Sequence, residues 1–243
     1  MREENDKLTG VIFRLNDSKP GDKVVHILAS DGSRRVVIAN GVKKSTSRKA
    51  HAVDLMNLVQ VKTTGRSNMP LVTDIKLLDK YERFKKTYKG LLFAQLVCEI
   101  LHLFVQEEQE EIGYYRNVIN MLSAKAEKLD LLAASLIIRF LYLSGNLPKL
   151  NEDIHDGSDI LPTDDRFPNL EIGYTRDSNL ATAPAISDRI FKAQRFILKN
   201  DFVTIQRLDL DEEEQKQMLA LHIDWMQKVT EREIKSYLLF KDA

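Results

Sequence analysis

The residues of this sequence best suited to a specific chemistry are cations set among small polar groups. From Arg34 to Lys49 the chain reads RRVVIANGVKKSTSRK, with six basic residues (Arg34, Arg35, Lys43, Lys44, Arg48, Lys49) and no acidic one. Such a run suits phosphate. Each Lys or Arg that neutralises a phosphate releases condensed counterion, so a few together give salt-sensitive binding that ignores base sequence. Ser45, Thr46 and Ser47 add hydroxyl donors, and Gly41 lets backbone amides come close. Lys62 and Arg66 could extend the same surface. The candidate nucleic-acid-binding residues are therefore Arg34, Arg35, Lys43, Lys44, Ser47, Arg48, Lys49, Lys62 and Arg66. On charge alone, a solvated basic loop without a ligand explains the run equally well.

Catalysis finds no comparable footing. There is no P-loop, no GxGxxG after a strand, no GxSxG and no HExxH. The five histidines (His26, His51, His102, His155, His222) are scattered, and His102 and His222 suit packed or surface helix positions better than ligand positions. His155 stands near Asp153, Asp156 and Asp159, but the spacing matches no calcium loop, and an exposed polar loop is the expectation. The single cysteine, Cys98, excludes an internal disulfide and a cysteine-rich zinc site, and its apolar surroundings suit a packed core residue. The chain is expected not to be an enzyme and to need no metal or cofactor.

The elements that must position these cations follow from the patterning. Hydrophobic residues make up 43% of the 243 residues and charged residues 30%, enough for a proper core. The apolar runs LLFAQLVCEILHLFV and LLAASLIIRFLYL are too short and too polar to span a bilayer and read as core helices. The polar start MREENDKLTG suits neither a signal peptide nor an anchor, so a cytoplasmic location is expected. The net charge of zero hides a split. Residues 1–90 hold 19 Lys+Arg against 10 Asp+Glu, and the remainder is acidic by a similar margin. A basic first part and an acidic second part suggest that the first part meets a polyanion.

Five short strands are predicted: Leu8–Arg14, Lys23–Ala29, Arg34–Ala39, Leu55–Thr64 and Leu71–Leu77, punctuated by Pro20-Gly21 and by the hairpin signal Asp31-Gly32. That count in about eighty residues suits a small OB-type barrel, and an SH3-like barrel fits the pattern nearly as well. Phe13 is the one aromatic within these strands, so binding should be dominated by the phosphate backbone rather than by base stacking. After Asp79 the period becomes helical, over Tyr81–Val105, Glu111–Ser123 and Leu129–Leu143, then Ser187–Lys199, Glu212–Val229 and Glu231–Phe240. The acidic run Asp209–Glu214 should open a helix, and Trp225 should pack. Between Pro148 and Pro184, which hold four of the six prolines, no period survives. The expected class is α+β: a five-stranded OB-type barrel over residues 1–80, then an all-helical domain over 81–243 with an irregular insertion at about 147–184.

The order of these features resembles the bacterial DNA recombination and repair mediator RecO across nearly the whole chain. The resemblance is carried by LTGVIFR…GDKVVHILASDG, ANGVKKSTSR, KGLLFAQLVCEILHLF and ALHIDWMQKVTEREIKSYLLF. Gly41, Lys43, Lys44, Ser47 and Arg48 fall on the family's Gly-x-basic-basic-x-x-Ser-Arg stretch, and Arg232 to Ser236 on its closing Glu-x-Lys-Ser element. The resemblance implies a protein that binds single- and double-stranded DNA, anneals complementary strands, binds the acidic tail of single-stranded DNA-binding protein and, with RecR, assists RecA. It also implies, in many members, a four-cysteine zinc module after the third helix. Here Leu147–Ala183 has no cysteine. Two other readings stay open on the residues alone: a protein-only adaptor that uses the barrel as an interaction module, and an RNA-binding OB protein.

Overall fold

In the computed structural model the described residues are 6–43, 49–65, 69–107, 109–161 and 164–243. The chain divides into two compact units, residues 1–119 (with Ala243) and 120–242.

The first unit is built on a closed barrel of five strands: β1 (Asp6–Asp17), β2 (Lys23–Ala29), β3 (Arg34–Ala39), β4 (Leu58–Thr64) and β5 (Leu71–Asp79). They pair in the order β1-β2-β3-β5-β4, and β4 closes back on β1. The antiparallel ladders and the single parallel β3–β5 contact, Ile38 beside Leu71, make this the OB-type barrel. Alternation decides which side chains enter. Val25 and Ile27, Val37 and Ala39, Val59 and Val61 point inward at period two and form one buried cluster. The long β1 serves both neighbours because it bends, with a register shift between Ile12 and Arg14. It also approaches β2 closely at Gly10, where a Cβ would sit 2.3 Å from the Leu28 carbonyl oxygen.

Several boundaries differ from expectation. The fourth strand begins at Leu58, not Leu55, because Met56 takes a left-handed backbone (φ 59°) while its N–H donates to the Ile12 carbonyl at 2.7 Å. The helix expected from Tyr81 begins later. Tyr81 is also left-handed (φ 48°), a short 3₁₀ turn follows at Glu82–Phe84, and Thr87 caps α1 (Tyr88–Phe104) by accepting from the Gly90 N–H at 3.0 Å. Cys98 is buried in α1, and burial pushes its thiol up to about 12.

A second helix, α2 (Ile112–Ser123), holds the division between the units. In the second unit α3 (Leu129–Leu143) is apolar on nearly every face and correspondingly buried, with α4 (Asp188–Lys199), α5 (Phe202–Ile205) and α6 (Glu212–Thr230) packed around it. The acidic run does open α6: Asp211 and Glu214 form a reciprocal capping box. The last helix, α7 (Lys235–Phe240), starts four residues later than expected because Glu231 is left-handed (φ 53°). Between α3 and α4 the aperiodic stretch contains a two-stranded hairpin, β6 (Phe167–Asn169) and β7 (Gly173–Thr175), too short to show in sequence. No helix among the described residues is long and apolar enough to cross a membrane.

His222 lies on α6 with no exposed surface, its Nδ1 2.7 Å from the Met218 carbonyl and its Nε2 without a hydrogen-bond partner among the described residues. Burial lowers its pKa to about 4, against the Met218 hydrogen bond. The folded state therefore binds fewer protons than the unfolded one between pH 6.5 and about 4. Stability is fully present above the unfolded value and falls as pH drops through that window, by up to about 3 kcal/mol. Urea unfolding followed by fluorescence of the sole tryptophan, Trp225, should show this slope, and His222→Gln should flatten it; equal slopes would refute the assignment.

Candidate nucleic-acid interface

Barrel pairing decides which cations meet. Asp17 pairs with Lys23, Lys23 with Ala39, Ile38 with Leu71 and Leu71 with Thr64. The β1–β2 turn, the end of β3, the end of β4 and the start of β5 therefore gather at one end of the barrel. That end carries Lys19, Lys23, Lys43 and Lys49 among the described residues. The basic segment is fastened at both of its edges. Gly41 N–H donates to Asp22 Oδ1 at 2.7 Å and Lys43 N–H to the Gly21 carbonyl at 3.1 Å, while Lys49 Nζ donates to the Val72 carbonyl at 2.7 Å. Lys43 also meets Asp17 at 2.7 Å, and this partner holds the Asp17 carboxyl below its ordinary range. The pair is solvent-exposed and worth little in the free protein, so a phosphate can compete for the ammonium. Lys44, Ser47 and Arg48, and likewise Arg66, lie outside the described residues.

The wall beside this end is also cationic. Lys7 on β1 stands directly opposite Lys62 on β4, Lys62 opposite Asp74 on β5, and Gln60 opposite Lys76. Lys7, Lys62 and Lys76 are exposed and share the outward face. Like charges directly opposite on neighbouring strands cost stability. Asp74, 4.0 Å from Lys62 Nζ, offsets part of that. Sequence reasoning does not single out Lys7 and Lys76, although both alternate with inward apolar residues: Lys7 precedes Leu8, and Lys76 lies between Ile75 and Leu77.

Arg34 and Arg35 are not part of this group. They begin β3, about 15–20 Å along the strand from its basic exit. Arg34 donates from Nη2 to the His102 carbonyl at 2.8 Å, its own N–H donates to the Gln106 carbonyl at 2.9 Å, and its guanidinium lies over Phe13. It thus satisfies a carbonyl of the last turn of α1 and ties that helix to the barrel. Arg14 approaches the His102 ring from β1, with Nη1 3.2 Å from Nδ1. Burial, together with the charges of Arg14 and Arg34, lowers the neighbouring His26 to about 4. Arg35 pairs with Asp31 at 2.9 Å and Glu110 at 3.7 Å. Phe13 is 2% exposed and offers no platform for a base.

Comparison with known proteins is consistent along the helical half and beyond it. Residues 85–238 match the family described as "Recombination protein O C terminal". A "DNA repair protein RecO" of Roseiflexus sp. (strain RS-1) is 27% identical over 169 residues, 69% of this chain and 59% of that relative. Proteins of the same name from Desulforudis audaxviator (26% over 141 residues, 58% of this chain and 57% of the relative) and Clostridium perfringens (23% over 142 residues, 56% of each) are similar. The chain thus spans little more than half the length of these relatives.

The separation of roles among the arginines and lysines is open to test. Arg34→Ala should destabilise the first unit by about 1–3 kcal/mol, because the His102 carbonyl that its guanidinium caps goes unsatisfied and its packing over Phe13 disappears. It should leave the salt dependence of nucleic-acid binding unchanged. Urea unfolding and salt-titrated fluorescence anisotropy on the same variant read the two effects; a flatter salt dependence at full stability would move Arg34 into the interface.

Proposed function

The chain belongs to the recombination protein O (RecO) family, and from that membership and the barrel's charge we propose that it is a DNA-binding mediator of recombinational repair. The observation that carries this reading is the cationic barrel end, Lys19, Lys23, Lys43 and Lys49, continued on the wall by Lys7, Lys62 and Lys76. Ammonium groups on such a frame, most of them exposed, recognise phosphate spacing and not bases, and so accept single and double strands alike. They also screen the repulsion between two polyanions, which is what annealing of complementary strands requires, and no reactive group is needed. In this reading the barrel of residues 1–80 holds DNA. The helical region of 81–243 receives the acidic tail of single-stranded DNA-binding protein and, together with RecR, assists the loading of RecA. Lys44, Ser47, Arg48 and Arg66, near these cations in sequence, are assigned to the same DNA contact.

Anisotropy of labelled single-stranded DNA, titrated from low to physiological salt, tests the reading. Lys43→Ala/Lys44→Ala/Arg48→Ala should lower the slope of log affinity against log salt by about 2, at roughly 0.7 for each phosphate no longer neutralised, for every DNA sequence tried. Lys7→Ala/Lys62→Ala/Lys76→Ala should do the same for the wall. An unchanged slope removes the mutated group from the interface. Absence of binding at low salt sinks the DNA reading in favour of a protein-only adaptor, and a preference for RNA over DNA of the same sequence would favour an RNA-binding role.

A further inference from the structure

The zinc module that the family resemblance implies does not fit the residues of this chain. Leu147–Ala183 contains no cysteine, Cys98 is buried in the first unit, and among the described residues no group of three or more His, Cys, Asp or Glu is placed to hold a metal. The same stretch nevertheless contains a dense polar node. Asp153, expected in an exposed polar loop, is 3% exposed. One of its oxygens accepts from the His155 N–H at 2.8 Å. The other accepts from the Arg176 N–H at 2.7 Å and from Arg176 Nε at 3.1 Å. Nη2 of the same guanidinium donates to Asp156 Oδ2 at 2.9 Å and to Ser158 Oγ at 2.5 Å.

Backbone bonds converge on this node from both sides. Asp153 N–H donates to the Ser158 carbonyl and Gly157 N–H to the Asp153 carbonyl, each at 2.8 Å, closing a tight loop. Ile154 N–H donates to the Tyr174 carbonyl at 2.9 Å, joining that loop to β7. Tyr174 then anchors the assembly: its hydroxyl donates to Gln194 Oε1 on α4 at 2.8 Å, and its ring meets Phe191 and Trp225 edge-on.

We propose that the Arg176 guanidinium, gripped by Asp153, Asp156 and Ser158, is the metal-free cross-link of this segment and occupies the structural role of a zinc ion. The geometry supports the comparison. Asp153 and Asp156 are separated by two residues, the spacing of a Cys-x2-Cys knuckle, and present oxygen in place of sulfur. A guanidinium has a fixed fork of five donors and remains charged at any working pH, so it can join several chain positions as a cation does. Burial acts to raise the Asp153 carboxyl, but the N–H groups of His155 and Arg176 and the Arg176 charge hold it below the ordinary range. The charged form is thus the one that the fold stabilises, and it needs neither thiolates nor a metal supply.

The whole 243-residue chain tests this by metal analysis and by amide exchange. The purified protein should carry no stoichiometric zinc, and neither EDTA nor added zinc should shift its melting temperature. In Asp153→Asn, which keeps the shape and removes the charge, the amides of Ile154 and Arg176 should exchange at least about tenfold faster. Arg176→Lys, which keeps charge but not the fork, should show the same loss, and it serves as the second variant if Asp153→Asn fails to fold. A tightly bound zinc removed by EDTA with a fall in melting temperature, or unchanged exchange at both amides, would overturn the proposal.

Discussion

Closure of the barrel is the constraint on which the remainder of the first unit depends. An open five-stranded sheet would leave two edges of unpaired N–H and C=O groups; here β1 pairs with both β2 and β4, and β3 with β5. One strand can serve both neighbours only if it is long and bent, which accounts for the twelve residues of β1, its irregularity between Ile12 and Arg14 and the close approach at Gly10. Closure then dictates where the connections emerge. The β1–β2 turn, the end of β3 through Lys43, and the facing ends of β4 and β5, segments remote in sequence, are brought to one end with no need of direct attraction among their cations.

The opposite end of the strands is used for a different purpose. The β2–β3 turn approaches the start of α2 so closely that a Cβ on Gly32 would sit 2.0 Å from the Glu111 carbonyl oxygen, and Gly32 itself has φ 91°. Arg34 and Arg35 follow immediately and are occupied with the end of α1 and with Asp31 and Glu110. A cation next to a helix C-terminus stabilises the last carbonyls, which gives Arg34 a role in the fold, while Arg35 has carboxylate partners of its own. Charge counting along the sequence groups them with Lys43 because they are near in the chain. A strand places its two ends far apart, and that separation is invisible until the pairing is known.

Much of the architecture is nonetheless legible in the sequence. Alternation in KVVHILA and RRVVIA marks half-buried strands, and the apolar periodicity of α1 and α3 marks core helices, because burial imposes those periods directly. The misses have a common physical origin. Met56, Tyr81 and Glu231 adopt left-handed backbones, and nothing in their residue types announces it. The β6–β7 hairpin is held by partners distant in sequence, such as Gln194 for Tyr174, and three-residue strands carry no measurable period. The wall lysines Lys7 and Lys76 are readable in principle from strand parity, but only once the order of the strands joins them to Lys62.

The opposed Lys7 and Lys62 have a consequence for engineering. In the free protein they repel across the β1–β4 ladder, so reversing the first charge, as in Lys7→Glu, would turn repulsion into attraction and raise barrel stability, while Lys62 keeps Asp74 on its other side. The same change would subtract two units of positive charge from the wall. A selection for heat resistance alone would therefore drift toward a firmer barrel with a less cationic wall, a trade-off located at a single rung of the ladder.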